Sequence, residues 1–174
     1  MADTNPKHLQ VSYKTVHNLV GKACYEILKD KYIPDVLVGI ATGGLIPVRI
    51  AKSFLKNGFD LPDIPIYIIG LSNYDKDDHL LPEPIITQKL DSELEKKIAG
   101  TKILMVDEID DTGRTLEKAA DYLFGLKVKE LRVLVVHMKE KEKTGKLPEN
   151  VKIYFGEKIP PLWIDYSWEF KEPF

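Results

Sequence analysis

Residues 103–116 read ILMVDEIDDTGRTL. Four apolar residues, Ile103 to Val106, run into four carboxylates, Asp107, Glu108, Asp110 and Asp111, with only Ile109 among them. A small-residue turn follows, Thr112-Gly113-Arg114-Thr115, and then Leu116, Ala119, Ala120, Leu123 and Phe124 recur at helical spacing. The stretch therefore predicts a buried strand, a turn and a helix in immediate succession. Where such strands alternate with helices along a chain, the arrangement indicates a mostly parallel sheet with helices on both faces.

The remainder of the chain supplies that alternation. Between Ser12 and Lys31, the residues Val16, Leu19, Val20, Ala23, Cys24, Ile27 and Leu28 form one apolar helical face, with Ser12 as its cap and Cys24 as a packing residue. DVLVGIATGGLIP (35–47) is a second strand ending in a Gly-Gly turn, after which Pro47 is expected to open a helix carrying Ile50, Ala51, Phe54 and Leu55. IPIYIIGL (64–71), ELRVLVVHMK (130–139) and KIYFGEKI (152–159) are further strands. Asn73 to Leu90 is polar, aperiodic and broken by prolines, and reads as a long loop, which in compact domains is commonly a functional lid. No repeat, low-complexity tract or linker divides the chain, so residues 1–174 are expected to form one α/β domain.

Composition narrows the function. A net charge of −2 gives no footprint for nucleic acid or a membrane surface. One cysteine excludes an intrachain disulfide and suits a reducing compartment. The N-terminal residues MADTNPKHLQ lack the apolar core of a secretory leader, and no apolar run approaches a membrane span. The expectation is a soluble, cytoplasmic domain.

In an open parallel sheet, ligands sit beyond the carboxyl ends of the strands. The start of the following helix offers free N–H groups and a positive dipole end, suited to phosphate. The acids need another partner because carboxylates repel phosphate: vicinal sugar hydroxyls or a magnesium ion would serve. A sugar phosphate satisfies both halves of the stretch. The plain alternative is a solvated acidic turn.

ILMVDEIDDTGRTL closely resembles the phosphoribosyl-pyrophosphate signature of type I phosphoribosyltransferases, and nearly the whole chain resembles their 6-oxopurine branch, the hypoxanthine, guanine and xanthine salvage enzymes. The resemblance implies that Asp107 and Glu108 hold the ribose hydroxyls. It places the residues from Asp110 through Asp111, Thr112, Gly113, Arg114 and Thr115 at the ribose and 5′-phosphate, with Asp111 also the catalytic group facing N7 of the purine. The family reaction displaces pyrophosphate from the sugar C1 by a purine nitrogen, with Mg2+ on the pyrophosphate. Asp107, Glu108 and Glu169 are then the acids near the metal, and a homodimer is expected.

Other segments fit the same resemblance. ATGGLIP is similar to the pyrophosphate loop (Thr42, Gly43, Gly44), in which a cis peptide is expected between Thr42 and Gly43. Many relatives carry Lys or Arg where this chain has Thr42; Arg49 is a candidate replacement or a merely solvated residue. GLSNYDKDD resembles the start of the mobile loop, about 72–90, where Ser72 or Tyr74 would approach pyrophosphate. Lys139 corresponds to a lysine that donates to the purine O6, whereas Lys141, Lys143 and Lys146 read as a solvated run among Glu140 and Glu142. PPLWIDYSWEF resembles the base-binding hood, about 151–174, with Trp163 stacking on the base, Ile164 packing nearby, and Trp168 in the core. Asp165 ranks low as a contact to a purine 2-substituent. His8, His17, His79 and His137 show no metal-ligand spacing and receive no role.

Three other readings compete. A regulator with this fold would bind phosphoribosyl pyrophosphate or a nucleotide without turnover. A phospho-receiver domain would separate its acid pair from the phosphate-accepting Asp, and a haloacid-dehalogenase phosphatase needs Asp-x-Asp-x-Thr. Here Glu108 occupies the first of those positions, and all four acids share one strand end. The enzyme reading fits best.

Overall fold

The computed structural model describes residues 8–77 and 79–169. In chain order the elements are β1 (His8–Val11), α1 (Tyr13–Lys29), β2 (Val36–Ala41), α2 (Leu45–Gly58), β3 (Ile66–Tyr74), β4 (Leu80–Gln88), α3 (Ser92–Ile98), β5 (Lys102–Asp110), α4 (Arg114–Gly125), β6 (Glu130–Lys139), β7 (Ile153–Ile159) and β8 (Trp163–Tyr166). Six strands form the main sheet in the order β4-β3-β2-β5-β6-β7. Every pairing in it is parallel except β3 with β4.

The two-residue period of the strands builds both layers. On β5, Leu104 and Val106 join the core shared with α1 and α2, while Ile103 and Met105 join the core that takes in Leu116, Ala119, Ala120 and Leu123 of α4. On β6, Leu134 and Val136 face the first layer and Val133 and Val135 the second. Ser12 caps α1 as expected, its Oγ accepting the Thr15 N–H at 3.1 Å. Cys24 is buried in the α1 face. The α2 helix begins at Leu45, two residues before Pro47, which still falls in the first turn where its missing N–H costs nothing. The short α3 was not foreseen: its seven residues offer too few apolar positions for a period, and its definition comes from Asp91, whose Oδ1 accepts the N–H groups of Glu93 and Leu94.

From β2 the chain moves outward through α2 to β3 and β4, then returns to place β5 on the other side of β2. The carboxyl ends of β2 and β5 are therefore the topological switch point, where an open α/β sheet leaves a crevice.

Two expectations are corrected. The stretch read as a loop from Asn73 to Leu90 contains the end of β3 and all of β4, paired as an antiparallel hairpin with register shifts near Gly70 and Ser72. Pro82 and Pro84 concealed it, yet both are tolerated because β4 is the sheet edge. The hood is also smaller than residues 151–174. β7 belongs to the main sheet, with Tyr154 and Phe155 packing on its opposite faces. What stands apart is the parallel pair β1 and β8, with Leu9 opposite Ile164, followed by a 3-10 turn at Ser167–Glu169. Residues 170–174 of the expected hood lie outside the described residues.

Candidate active site

A cavity of about 550 Å³ opens at the switch point. Of the residues singled out in the sequence, Thr42, Gly43, Ser72, Tyr74, Asp107 through Glu108, Asp110 through Thr115, Lys139, Trp163, Ile164 and Glu169 all line it. Gly44 lies beneath the wall. A Cβ there would sit 2.5 Å from the Val106 carbonyl oxygen and 2.7 Å from that of Ile40, so only glycine lets the β2 turn press against β5. One peptide in this turn is cis, and it joins Ala41 to Thr42, one residue earlier than expected. The turn is closed by the Gly44 N–H, which donates to the Ile40 carbonyl at 2.8 Å, one residue before the end of β2.

Asp107 is buried at the end of β5, where its Oδ1 accepts the Glu108 N–H at 2.9 Å. Burial pushes its carboxyl well above the ordinary carboxylate range, and the neighbouring Glu108 charge adds to the shift. The Glu108 side chain rests on Gly43, where a Cβ would come within 1.8 Å of Glu108 Oε2. Among the described residues, Glu108 Oε2 and Asp110 Oδ1 are buried acceptors with no hydrogen-bond partner. Such crowding is costly in the free protein and fits a site completed by donors from a ligand.

A network unseen in the sequence fixes the backbone of these acids. Tyr166 on β8 donates its hydroxyl to the Glu108 carbonyl at 3.0 Å, and His137 Nδ1 lies 2.9 Å from the same hydroxyl. A carbonyl only accepts, so the tyrosine proton is committed to it and His137 Nδ1 is the donor of the second bond. Burial depresses the His137 imidazole and raises the Tyr166 phenol, which in each case favours the neutral form. A histidine between valines and methionine on a strand carries no sequence signal for this role. Trp168 stacks on Tyr166, centroids 4.5 Å apart, and is the core residue expected.

Three lysines hold Asp110 and Asp111, and the first of them, Lys139, also lines the cavity. Lys139 Nζ is 3.3 Å from Asp111 Oδ2 and Lys141 Nζ is 2.5 Å from Oδ1. Burial alone would raise Asp111, but hydrogen bonding and charge from Lys141 and Lys139 outweigh it and hold the carboxyl below its ordinary value. Lys143 Nζ is 3.1 Å from Asp110 Oδ2 and also donates to the Asp110 and Asp111 carbonyls. The reading of Lys141 and Lys143 as a solvated run is therefore corrected. All three lysines, 139, 141 and 143, reach back to Asp110 or Asp111 where β5 ends.

Other candidates are placed as follows. Arg49 donates to Ser53 Oγ at 2.6 Å along its own helix and is not on the cavity wall, so it does not replace the basic side chain absent at Thr42. The Arg114 side chain points to the Pro82 and Leu81 carbonyls of β4 rather than into the turn it belongs to. Asn73, which sequence reasoning passed over, donates to Thr115 Oγ1 at 3.0 Å and ties the hairpin to the start of α4. Ser72 Oγ bonds both the N–H and the carbonyl of Tyr74. Trp163 is 52% exposed, while Ile164 beside it is buried. Asp165 is held by His8 and Gln10, at 2.8 and 2.7 Å, away from the cavity.

Residues 12–174 match the family model described as the phosphoribosyl transferase domain. The chain is 35% identical to hypoxanthine-guanine phosphoribosyltransferase of Schizosaccharomyces pombe over 97% of this chain and 92% of that protein. It is 31% identical to xanthine phosphoribosyltransferase 1 of Saccharomyces cerevisiae over 95% and 91% of the two chains. The crystal structure of a hypothetical protein from Neisseria gonorrhoeae with bound ppGpp superposes with a TM-score of 0.83 at 28% identity, covering 97% of this chain and 92% of that one. With its acids and glycine turn at the switch point and its likeness to these proteins end to end, the chain belongs to the phosphoribosyl transferase domain family, in the 6-oxopurine branch.

Proposed function

We propose that the protein transfers the 5-phosphoribosyl group from phosphoribosyl pyrophosphate to a 6-oxopurine (hypoxanthine, guanine or xanthine), giving the nucleoside monophosphate and pyrophosphate in purine salvage. The observation that carries this reading is the Asp111–Lys139 pair, 3.3 Å apart, beside the phosphate turn and facing the same cavity as Trp163. It provides an acceptor for the purine N7 proton next to a donor for O6.

In this reading the backbone from Asp111 to Thr115 binds the 5′-phosphate, and Asp107 and Glu108 accept hydrogen bonds from the ribose hydroxyls. Glu108 Oε2, lacking a partner among the described residues, is suited to that task. Thr42 and Gly43 line the pyrophosphate position with Ser72 and Tyr74, Gly44 supports the loop from beneath, and the β3–β4 hairpin is the segment that closes over it. Trp163 stacks on the base, and Ile164 packs against it. The purine nitrogen attacks C1, the bond from C1 to pyrophosphate breaks with its electrons leaving on the pyrophosphate oxygen, and the purine proton passes to Asp111.

Magnesium fits the donor set, since Asp107, Glu108 and Glu169 offer hard carboxylate oxygens around one cavity. These residues would hold it directly, through water or through the substrate. The ion supplies charge neutralisation on the departing pyrophosphate. We further propose a cytoplasmic homodimer on the family resemblance, checked by sedimentation of the purified protein.

A regulator that binds without turnover is the second reading, favoured by one observation: the similar Neisseria protein was crystallised with bound ppGpp. One experiment separates the two. The protein is incubated with phosphoribosyl pyrophosphate, magnesium and each of hypoxanthine, guanine, xanthine and adenine, and nucleotide is measured beside melting temperature. Product from the 6-oxopurines supports the enzyme. A thermal shift without product supports the regulator, and neither response from folded protein sinks both. Ligand at 100 times its dissociation constant stabilises by about 2.7 kcal/mol, so the shift is readable.

A further inference from the structure

A turn that receives phosphate through its N–H groups must send its carbonyl oxygens elsewhere, because each carries partial negative charge. Here the carbonyls of three successive residues are all taken up by one segment. Lys143 Nζ donates to the Asp110 carbonyl at 2.7 Å and to the Asp111 carbonyl at 2.9 Å. Its third contact is the carboxylate of Asp110, itself only 3% exposed, so the three donors of the ammonium are matched by three acceptors. The N–H groups of Thr144 and Gly145 both donate to the Thr112 carbonyl at 3.0 Å.

The two backbones meet glycine to glycine. A Cβ on Gly145 would fall 2.4 Å from both the Gly113 carbonyl carbon and the Arg114 nitrogen, and a Cβ on Gly113 would fall 2.7 Å from the Gly145 carbonyl oxygen. Gly113 also holds φ at 81°, which a side chain would resist. The segment thus fits against the back of the turn, while residues Thr112 to Thr115 line the cavity on the front. The N–H groups of Arg114, Thr115 and Leu116 open α4 and have no intrahelical partner.

We propose that Lys143, aided by the backbone of Thr144 and Gly145, is the positioning residue of the phosphate turn, fixing the carbonyls of Asp110, Asp111 and Thr112 rearward so that the turn's N–H groups face the 5′-phosphate. The inference rests on the function proposed above. It differs from a purely structural brace in what it predicts: the lysine matters for the phosphate end of the ligand more than for the base. Lys139 and Lys141, on the same short stretch, hold Asp111, so one segment aligns both the phosphate turn and the group facing the base.

The test uses guanosine 5′-monophosphate as the probe, titrated calorimetrically into the whole protein, wild type and Lys143→Met. Turnover is measured in parallel with phosphoribosyl pyrophosphate and hypoxanthine. The variant is expected to raise the nucleotide Kd by about 10- to 100-fold, the range seen when a supporting contact or a small misplacement is lost. The KM for phosphoribosyl pyrophosphate should rise with it while that for hypoxanthine stays within about twofold. A folded variant with unchanged nucleotide Kd, or one whose two KM values rise together, overturns the inference and leaves the proposed function standing. A wild type that binds no nucleotide overturns both. If Lys143→Met does not fold, Lys143→Arg decides by the same two criteria, since it keeps the charge but cannot converge three donors from one nitrogen.

Discussion

Lys139 Nζ stands 3.3 Å from Asp111 Oδ2 at the end of a strand, with the lysine only 9% exposed. A buried ammonium donates hydrogen bonds and accepts none, so beside position 6 of a purine it rewards a carbonyl and disfavours an amine. A mismatch leaves a buried donor unpaired, which is the strong form of discrimination. Lys139→Met keeps much of the stem and removes the charge. Activity with hypoxanthine should fall, and its advantage over adenine should narrow. The measurement is kcat/KM for both bases in both proteins; an unchanged ratio removes Lys139 as the reader of position 6.

Asp107→Asn is expected to raise the melting temperature while weakening binding of the sugar. Burial, and then the Glu108 charge, lift the Asp107 carboxyl well above its ordinary range, so the folded state disfavours the ionised form. A group with a raised folded value costs nothing below its unfolded value, and the cost grows as pH rises toward the folded value. Asparagine keeps the Oδ1 acceptor for the Glu108 N–H and removes the charge. The gain in melting temperature should therefore be present at neutral pH and shrink below the ordinary aspartate range, with metal and substrate withheld. A substitution that lowers the melting temperature at pH 7 would falsify this account of the acidic crowding.

How the site reads in the sequence follows from which interactions are local. The strand, acids and turn of residues 103–116 are contiguous, so their chemistry is visible without a fold. The same holds for the α1 face and the Ser12 cap. The roles of Lys141 and Lys143 depend on the segment after β6 folding back to Asp110 and Asp111, about thirty residues earlier in the chain, and a charge run looks alike whether solvated or paired. The Tyr166–Glu108 bond spans 58 residues and joins the hood to the main sheet, with no spacing to announce it. β4 was hidden for another reason: edge strands tolerate prolines and polar residues that a central strand excludes.

Trp163→Ala should weaken base binding by about 1–3 kcal/mol, the scale of aromatic stacking on a nucleobase. The ring is 52% exposed, with the His8 ring 6.4 Å away between centroids, so its removal uncovers little of the core. Melting temperature and affinity for phosphoribosyl pyrophosphate should stay near the wild-type values. An equal loss of both affinities, with a sharp fall in melting temperature, would assign Trp163 to the core instead.

Tyr166→Phe tests whether the hood fixes the backbone of the acids proposed to bind the sugar. The hydroxyl joins the Glu108 carbonyl to His137 Nδ1, and its removal leaves a part-buried acceptor and a buried donor without partners. Leaving such groups unsatisfied costs about 1–3 kcal/mol, most of which should appear as a lower melting temperature. The ring itself remains, so its stacking on Trp168 is retained. The KM for phosphoribosyl pyrophosphate should rise because Glu108 loses the contact that orients its peptide. His137→Leu removes the other end of the same network, and residues in one network are not additive. The double variant should therefore cost less than the sum of the two single ones, by denaturant titration of all four proteins. Strict additivity would show that Tyr166 and His137 act separately, and an unchanged KM in Tyr166→Phe would show that Glu108 is oriented by β5 alone.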